Sequence, residues 1–199
     1  NTIFLNWKTG YQMVQFSLYY KFGLRYILDI YSVEYILFLI SLLVVFTLKD
    51  WKRVIILLVC FIIGYTITIS LGSFKVVKYN PDLIEFLLPL TIFFTSFSNI
   101  FKKKDNFRYH GNMIKNYILA ICFGAIHGLS YATYFTGITR DQISFWNQFV
   151  SFNLGLGSAQ VLVSLTFLII TFIFLSILGL NRRDWILVIS SGIAGVSLS

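Results

Sequence analysis

The chain has 199 residues, of which 57% are hydrophobic and only 12% charged, and its formal net charge is +8. A soluble domain carries about 25% charged residues, so the composition excludes an ordinary water-soluble globule, and apolar runs without alternation argue against a β-barrel. The positive charges stand in short loops between apolar runs rather than on one clustered face, which argues against a nucleic-acid groove and for a topology signal. The class that remains is all-α: one polytopic transmembrane helical bundle over residues 1–199, with the lipid bilayer as its first partner.

Residues 1–15 read as an N-terminal extension, and residues 1–12 are too short and too polar for a signal peptide. No initiator Met is present, and Met13 is a candidate native start. Over 16–32, Phe16, Tyr19, Tyr20, Leu24, Ile27 and Leu28 interleave with Lys21, Arg25 and Asp29 at helical spacing. That pattern predicts an amphipathic, half-inserted helix. About six spans follow, over 33–48, 54–74, 83–101, 113–135, 145–178 and 185–199, most of them near the roughly 20 residues a helix needs to cross a bilayer. The fifth is long enough for a tilted helix with an irregular start, or for a short helix and a full span. The last is short, so the native chain is expected to continue. Pro81 stands at a helix start, where its missing N–H does no harm. Pro89, inside the third span, predicts a kink. The fifth stretch is expected to break or pack tightly around Asn153, Gly155, Gly157 and Ser158.

Basic loops at 49–53, 102–112 and 182–184 alternate with less basic ones near 75–82 and 136–142, as helices crossing in turn require. The positive-inside rule then makes the basic loops cytoplasmic and turns residues 29–34 toward the periplasm of a bacterial inner membrane. Trp51, Tyr79, Tyr109, Trp146 and Trp185, near expected helix ends, are candidate interface anchors. Cys60 and Cys122 lie inside apolar runs and read as small buried hydrophobes, with no metal or disulfide spacing.

Ionisable groups within a membrane are costly and mark candidate sites. Asp29, Glu34, Glu85 and His127 form that set, as metal or substrate ligands. Tyr26, Tyr35 and Tyr65, with the amides Asn153 and Gln160, are expected to line a cavity or cement helix contacts. Asn153 and Gln160 are seven residues apart and share a helix face. Ser130 follows His127 by three residues, but without a nucleophile elbow or oxyanion partner the pair gives no reason to expect an enzyme.

The run Phe22-Gly23-Leu24-Arg25-Tyr26-Ile27-Leu28-Asp29, followed by Glu34-Tyr35-Ile36-Leu37-Phe38-Leu39, resembles the opening motif of the HupE/UreJ membrane proteins. Further similar stretches are Gly64–Thr68, Leu83–Leu87, Phe123–Leu129, Phe152–Gln160, Arg183–Trp185 and Gly192–Gly195, in the family's order from about residue 16. The nearest look is to short forms from Bacteroidetes-type bacteria. The resemblance implies a permease-like fold and a link to nickel or cobalt uptake. It also implies departures: Tyr26, Tyr35 and Tyr65 stand where histidine is usual, Glu34 where aspartate is, and Gly157 where glutamate is common.

Imidazole suits nickel and cobalt, whereas carboxylates and water alone suit Mg, Ca or Mn better. A phenol with a pKa of about 10 must lose a proton to ligate. The expectation is therefore a permease-like protein whose metal site is degraded. It would have no resident cofactor and would act as a membrane subunit or scaffold, with membrane-protein partners or further copies of itself. The competing expectation is a permease for nickel, cobalt, another divalent cation or a small solute, using altered ligands.

Overall fold

The computed structural model describes residues 2–29, 32–101, 113–139 and 145–198, with side chains from residue 10 onward. The loop 102–112, the segment 140–144 with Asp141, and residues 30–31 of the opening motif lie outside the described residues. Among the described residues seven α-helices run in order: α1 (Thr2–Leu28), α2 (Val33–Leu43), α3 (Trp51–Ser73), α4 (Pro81–Ile100), α5 (Ile114–Ile138), α6 (Phe145–Phe172) and α7 (Arg182–Val196). A 3₁₀ turn, Leu48–Asp50, leads into α3, and a π-helical turn, Ile173–Ile177, extends α6.

The helix starts follow local chemistry. Asn80 caps α4 by accepting from the Asp82 N–H at 3.0 Å, and Pro81 takes the first helical position. Asn181 caps α7 by accepting from the Arg183 N–H at 3.1 Å. Ahead of α3, the Asp50 carboxylate accepts from both the Thr47 N–H (3.2 Å) and its hydroxyl (3.0 Å). Gly179, at φ +69°, makes the left-handed turn between the π segment and α7.

Among the described residues four helical segments are long and apolar enough to cross a membrane: Leu48–Ser73, Pro81–Ile100, Ile114–Ile138 and Phe145–Ile177. The stretches Gly10–Leu28 and Val33–Leu43 pass the same test only together, as a pair bent by 70°, which gives up to five. The expected count of about six is not confirmed among the described residues. Val33–Leu43 has 11 residues and Arg182–Val196 has 15, both below the roughly 20 of a full crossing. Helix α1 also begins well before residue 16, so the amphipathic segment is the end of a longer helix. Helix α6 passes through Asn153–Ser158 unbroken, and the irregularity falls at the π turn instead. Helix α4 is likewise continuous through Pro89.

Helices α3 and α5, α1 and α6, and α4 and α7 form close pairs, with α2 among them. Two of these pairs rest on backbone contact that only glycine permits. A Cβ on Gly64 would collide with the Ile121 carbonyl, and one on Gly124 with the Phe61 carbonyl, so α3 and α5 press together from both sides. Gly23 against the Phe152 carbonyl and Gly155 against the Tyr20 carbonyl repeat the device for α1 and α6.

One end of the bundle is tied by arginines. Arg182 donates to the Val45 carbonyl, just past α2, and Arg183 donates to the Ile100 carbonyl at the end of α4, at 2.7 Å. Cations there satisfy carbonyls left open at helix C-termini. Asp50 pairs with Arg53 at 3.3 Å and lies 4.0 Å from Arg182. The described parts of the basic connections therefore gather at one end. At the other, Phe74 packs on Phe145 and Trp146, and Thr133 donates to the Tyr79 hydroxyl at 3.1 Å. Trp51 and Trp146 are exposed, in keeping with an anchoring place. Trp185 is buried and stacks on Phe174 with centroids 4.9 Å apart, so it is a packing residue.

Candidate functional site

The bend between α1 and α2 brings Tyr26 and Tyr35 together beside the middle of α5. Their hydroxyls are 3.1 Å apart. Tyr35 donates to Ser130 Oγ at 2.8 Å, and the Tyr26 hydroxyl lies 3.2 Å from the same oxygen. Two phenols and a serine thus close a triangle across α1, α2 and α5. Tyr131 and Tyr134 extend it, with ring centroids 5.3 Å and 4.5 Å from Tyr26. Tyr65 joins from α3, its ring 5.4 Å from that of Tyr131.

His127 sits beneath this cluster and is fully buried. Its ring lies 4.4 Å from Phe38, 5.5 Å from Tyr35 and 5.7 Å from Phe61, centroid to centroid. Its Nε2 is 3.3 Å from Thr91 Oγ1, and Thr91 spends its own proton on the Leu88 carbonyl at 2.7 Å. The bond from the ring must therefore be Nε2–H donating to Thr91, which leaves Nδ1 as the bare nitrogen. Nδ1 has no hydrogen-bond partner among the described residues. An apolar pocket of this kind suits the neutral imidazole, because a buried charge without a partner is costly. His127 and Ser130 face different partners, so the i,i+3 spacing does not make a nucleophile–base pair.

The remaining candidates lie apart from the histidine. Asp29, Glu34 and Glu85 are exposed on the surface of the chain. Glu34 opens onto a cleft of about 490 Å³ with Leu37, Phe86 and Pro89, close enough to Glu85 for the two charges to interact. Among the described residues, no three His, Cys, Asp or Glu side chains come together in a way that could hold a metal ion. The structure therefore gathers Tyr26, Tyr35, Tyr65 and His127, and leaves the three carboxylates outside that cluster.

The amides behave differently from each other. Asn153 accepts from Thr66 Oγ1 at 3.0 Å and donates to the Phe149 carbonyl at 2.8 Å, tying α6 to α3. Gln160, on the same face, is fully buried and neither amide atom has a partner among the described residues. Gly157 lies between them, and a Cβ built there would stand 3.7 Å from the Tyr65 hydroxyl. The phenol of Tyr65 thus reaches the space that a longer residue at 157 would need.

Sequence reasoning did not single out Thr91, Tyr131 or Tyr134. The signal for Thr91 was available only in outline: a hydroxyl two residues past a helix proline, in a span that also carries Glu85, Thr95, Ser96, Ser98 and Asn99. Tyr131 and Tyr134 flank Ser130 at i+1 and i+4 and read as ordinary aromatic filling until the bend of α1 onto α5 is known.

No curated protein and no solved structure matches the chain. A family model described as HupE / UreJ protein matches residues 5–199, nearly the whole sequence. The chain is a member of the HupE/UreJ family, with the apolar helices of a multi-pass membrane protein.

Proposed function

We propose that this is a HupE/UreJ-type membrane protein whose metal site has been given up, and which serves as a subunit or scaffold of a larger inner-membrane assembly rather than as a nickel or cobalt permease. The observation that carries this reading is the closed triangle of Tyr26, Tyr35 and Ser130. At two of the positions where the family pattern has imidazole, phenols satisfy each other. The third phenol, Tyr65, stands against Gly157, where glutamate is common, so the volume of one lost ligand is filled by the replacement of another. His127 gives its Nε2–H to Thr91 and is walled by Phe38 and Phe61. Its unpartnered Nδ1 is therefore a single donor, with no ligand set of His, Cys, Asp or Glu beside it among the described residues. Such an arrangement keeps the bundle packed and offers a metal cation little.

Orientation follows from charge. The end that carries Lys49, Lys52, Arg53, Arg182 and Arg183 faces the cytoplasm under the positive-inside rule. The Tyr79 and Trp146 end then faces the periplasm.

The test is uptake of nickel and cobalt into proteoliposomes containing the protein, beside purification from native membranes. The reading expects no saturable uptake, and companion membrane proteins in the purified material. Saturable uptake abolished by His127→Ala would overturn it. The competing reading, a divalent-cation or small-solute permease, is favoured by Asp29, Glu34 and Glu85. These are charges that a membrane protein keeps at a cost unless they are used.

A further inference from the structure

Helix α1 turns Tyr19, Gly23 and Ile27 inward onto its neighbours, while Lys21 and Arg25 are exposed on the opposite side. At about 100° per residue the two cations stand one turn apart in a single stripe. Asp29 continues the stripe and already has a contact of its own. Above the cations the same face is apolar, with Val14 and Leu18 exposed.

On another part of the surface, Glu34 lines the open cleft between α2, α4 and the end of α7, and Glu85 stands near it. The rest of that cleft is apolar, and Phe86 at its edge is 63% exposed. Among the described residues no ion pair joins either carboxylate to a cation, and both ion pairs found there involve Asp50 at the basic end.

Helix α5 serves as a depth gauge. Tyr26 touches Ser130 and Tyr134, and Tyr35 touches Ser130, so their neighbours Arg25 and Glu34 lie at the same level. Thr91 meets His127, and Glu85 lies six residues before Thr91, about 9 Å nearer the less basic end at 1.5 Å per residue. Lys21 is about 6 Å above Arg25 by the same rise, close to Tyr19, whose hydroxyl reaches the Ile138 carbonyl. Two exposed cations and two exposed carboxylates thus occupy one slab between His127 and Ile138. Bare lipid is a poor surrounding for any of them.

We propose that the protein assembles with further copies of itself, the Lys21/Arg25 stripe of one copy seating against the Glu34/Glu85 cleft of the next. The occupant is a second copy because the two faces are opposite in the sign of their charge and match in depth and in having apolar flanks. Since the two patches differ, the contact is heterologous, and copies related by rotation about the membrane normal form a ring where that rotation closes. This deepens the subunit reading by naming the partner.

The experiment is native mass spectrometry of the full-length protein from lipid nanodiscs. Wild type is expected to give one oligomeric mass. Arg25→Glu and Glu34→Arg are each expected to shift it to lower species. Co-expressed, the two variants are expected to recover a hetero-oligomer, since Glu at 25 of one meets Arg at 34 of the other, and recovery also shows that both variants fold. In a Cys60→Ser, Cys122→Ser background, Arg25→Cys with Glu34→Cys is expected to give an oxidised ladder of cross-linked copies, absent from either single cysteine. A monomeric wild type overturns the proposal, as does an oligomer indifferent to both reversals or a monomer retaining a lipid or divalent cation dependent on Glu34. A monomer that still fails to take up nickel overturns the ring alone and leaves the subunit reading with a different partner.

Discussion

Replacing Gly64 by alanine tests whether α3 and α5 are held by backbone contact. A Cβ there collides with the Ile121 carbonyl oxygen and would stand 3.0 Å from both the Ala125 nitrogen and the Ile121 carbonyl carbon. These obstacles are main chain, so relief requires the helices to separate rather than a side chain to rotate. Overpacking of a tight core costs about 1–3 kcal/mol, and the loss of alignment around Phe61 and His127 places this case near the middle, at about 2 kcal/mol. Gly124→Ala meets the Phe61 backbone from the other side, with its carbonyl carbon at 3.1 Å, and is expected to cost a similar amount. Both changes open the same gap, so the double variant should cost about 3 kcal/mol rather than the additive sum of about 4 kcal/mol. Reversible unfolding in mixed micelles, read by steric trapping, measures all three. Strict additivity, or either single variant within about 0.5 kcal/mol of wild type, would refute the reasoning.

Three further outcomes follow from single contacts. Tyr35→Phe removes the donor to Ser130 but leaves Tyr26 beside that oxygen, so the loss should be about 0.6 kcal/mol, the usual size of such bonds in membrane proteins; Tyr35→Ala should cost several-fold more by opening a cavity. Thr91→Val strands the Nε2–H of His127 and should destabilise by about 1–3 kcal/mol. The double variant Thr91→Val, His127→Phe should recover most of that, measured by the same unfolding assay. Arg183→Ala frees the Ile100 carbonyl and should raise hydrogen exchange at the end of α4 without altering exchange in the middle of α5.

Much of the bundle was legible because lipid imposes a length and a composition on every crossing. The four long spans fall close to where the apolar runs predicted them. The discrepancies arise where local chemistry competes with hydropathy. The run 33–48 is apolar enough for a span, yet its helix ends at Leu43 and a turn capped through Thr47 and Asp50 follows, so hydropathy overran the helix. The region of Asn153, Gly155, Gly157 and Ser158 read as a place to break or to pack tightly, and contact with the Tyr20 carbonyl makes Gly155 a packing position inside a continuous helix.

Of the residues singled out in the sequence, Tyr26 and Tyr35 meet at Ser130, His127 packs on Tyr35, and Tyr65 joins through Tyr131, while Asp29, Glu34 and Glu85 are exposed. What sequence could not reveal is direction. Nothing in the spacing of Asp29 or Glu34 tells that they stand outside the cluster, because that depends on the 70° bend between α1 and α2. Thr91 was hidden for a related reason, since its partner lies 36 residues away and on another helix.

The central claim is that tyrosines have replaced a metal site. Its most direct measurement is calorimetric titration of nickel and cobalt into the protein in nanodiscs, beside the variant carrying Tyr26→His, Tyr35→His, Tyr65→His and Gly157→Glu. Wild type is expected to show no saturable binding, and the variant is expected to bind. Saturable binding by wild type that disappears in His127→Ala would contradict it.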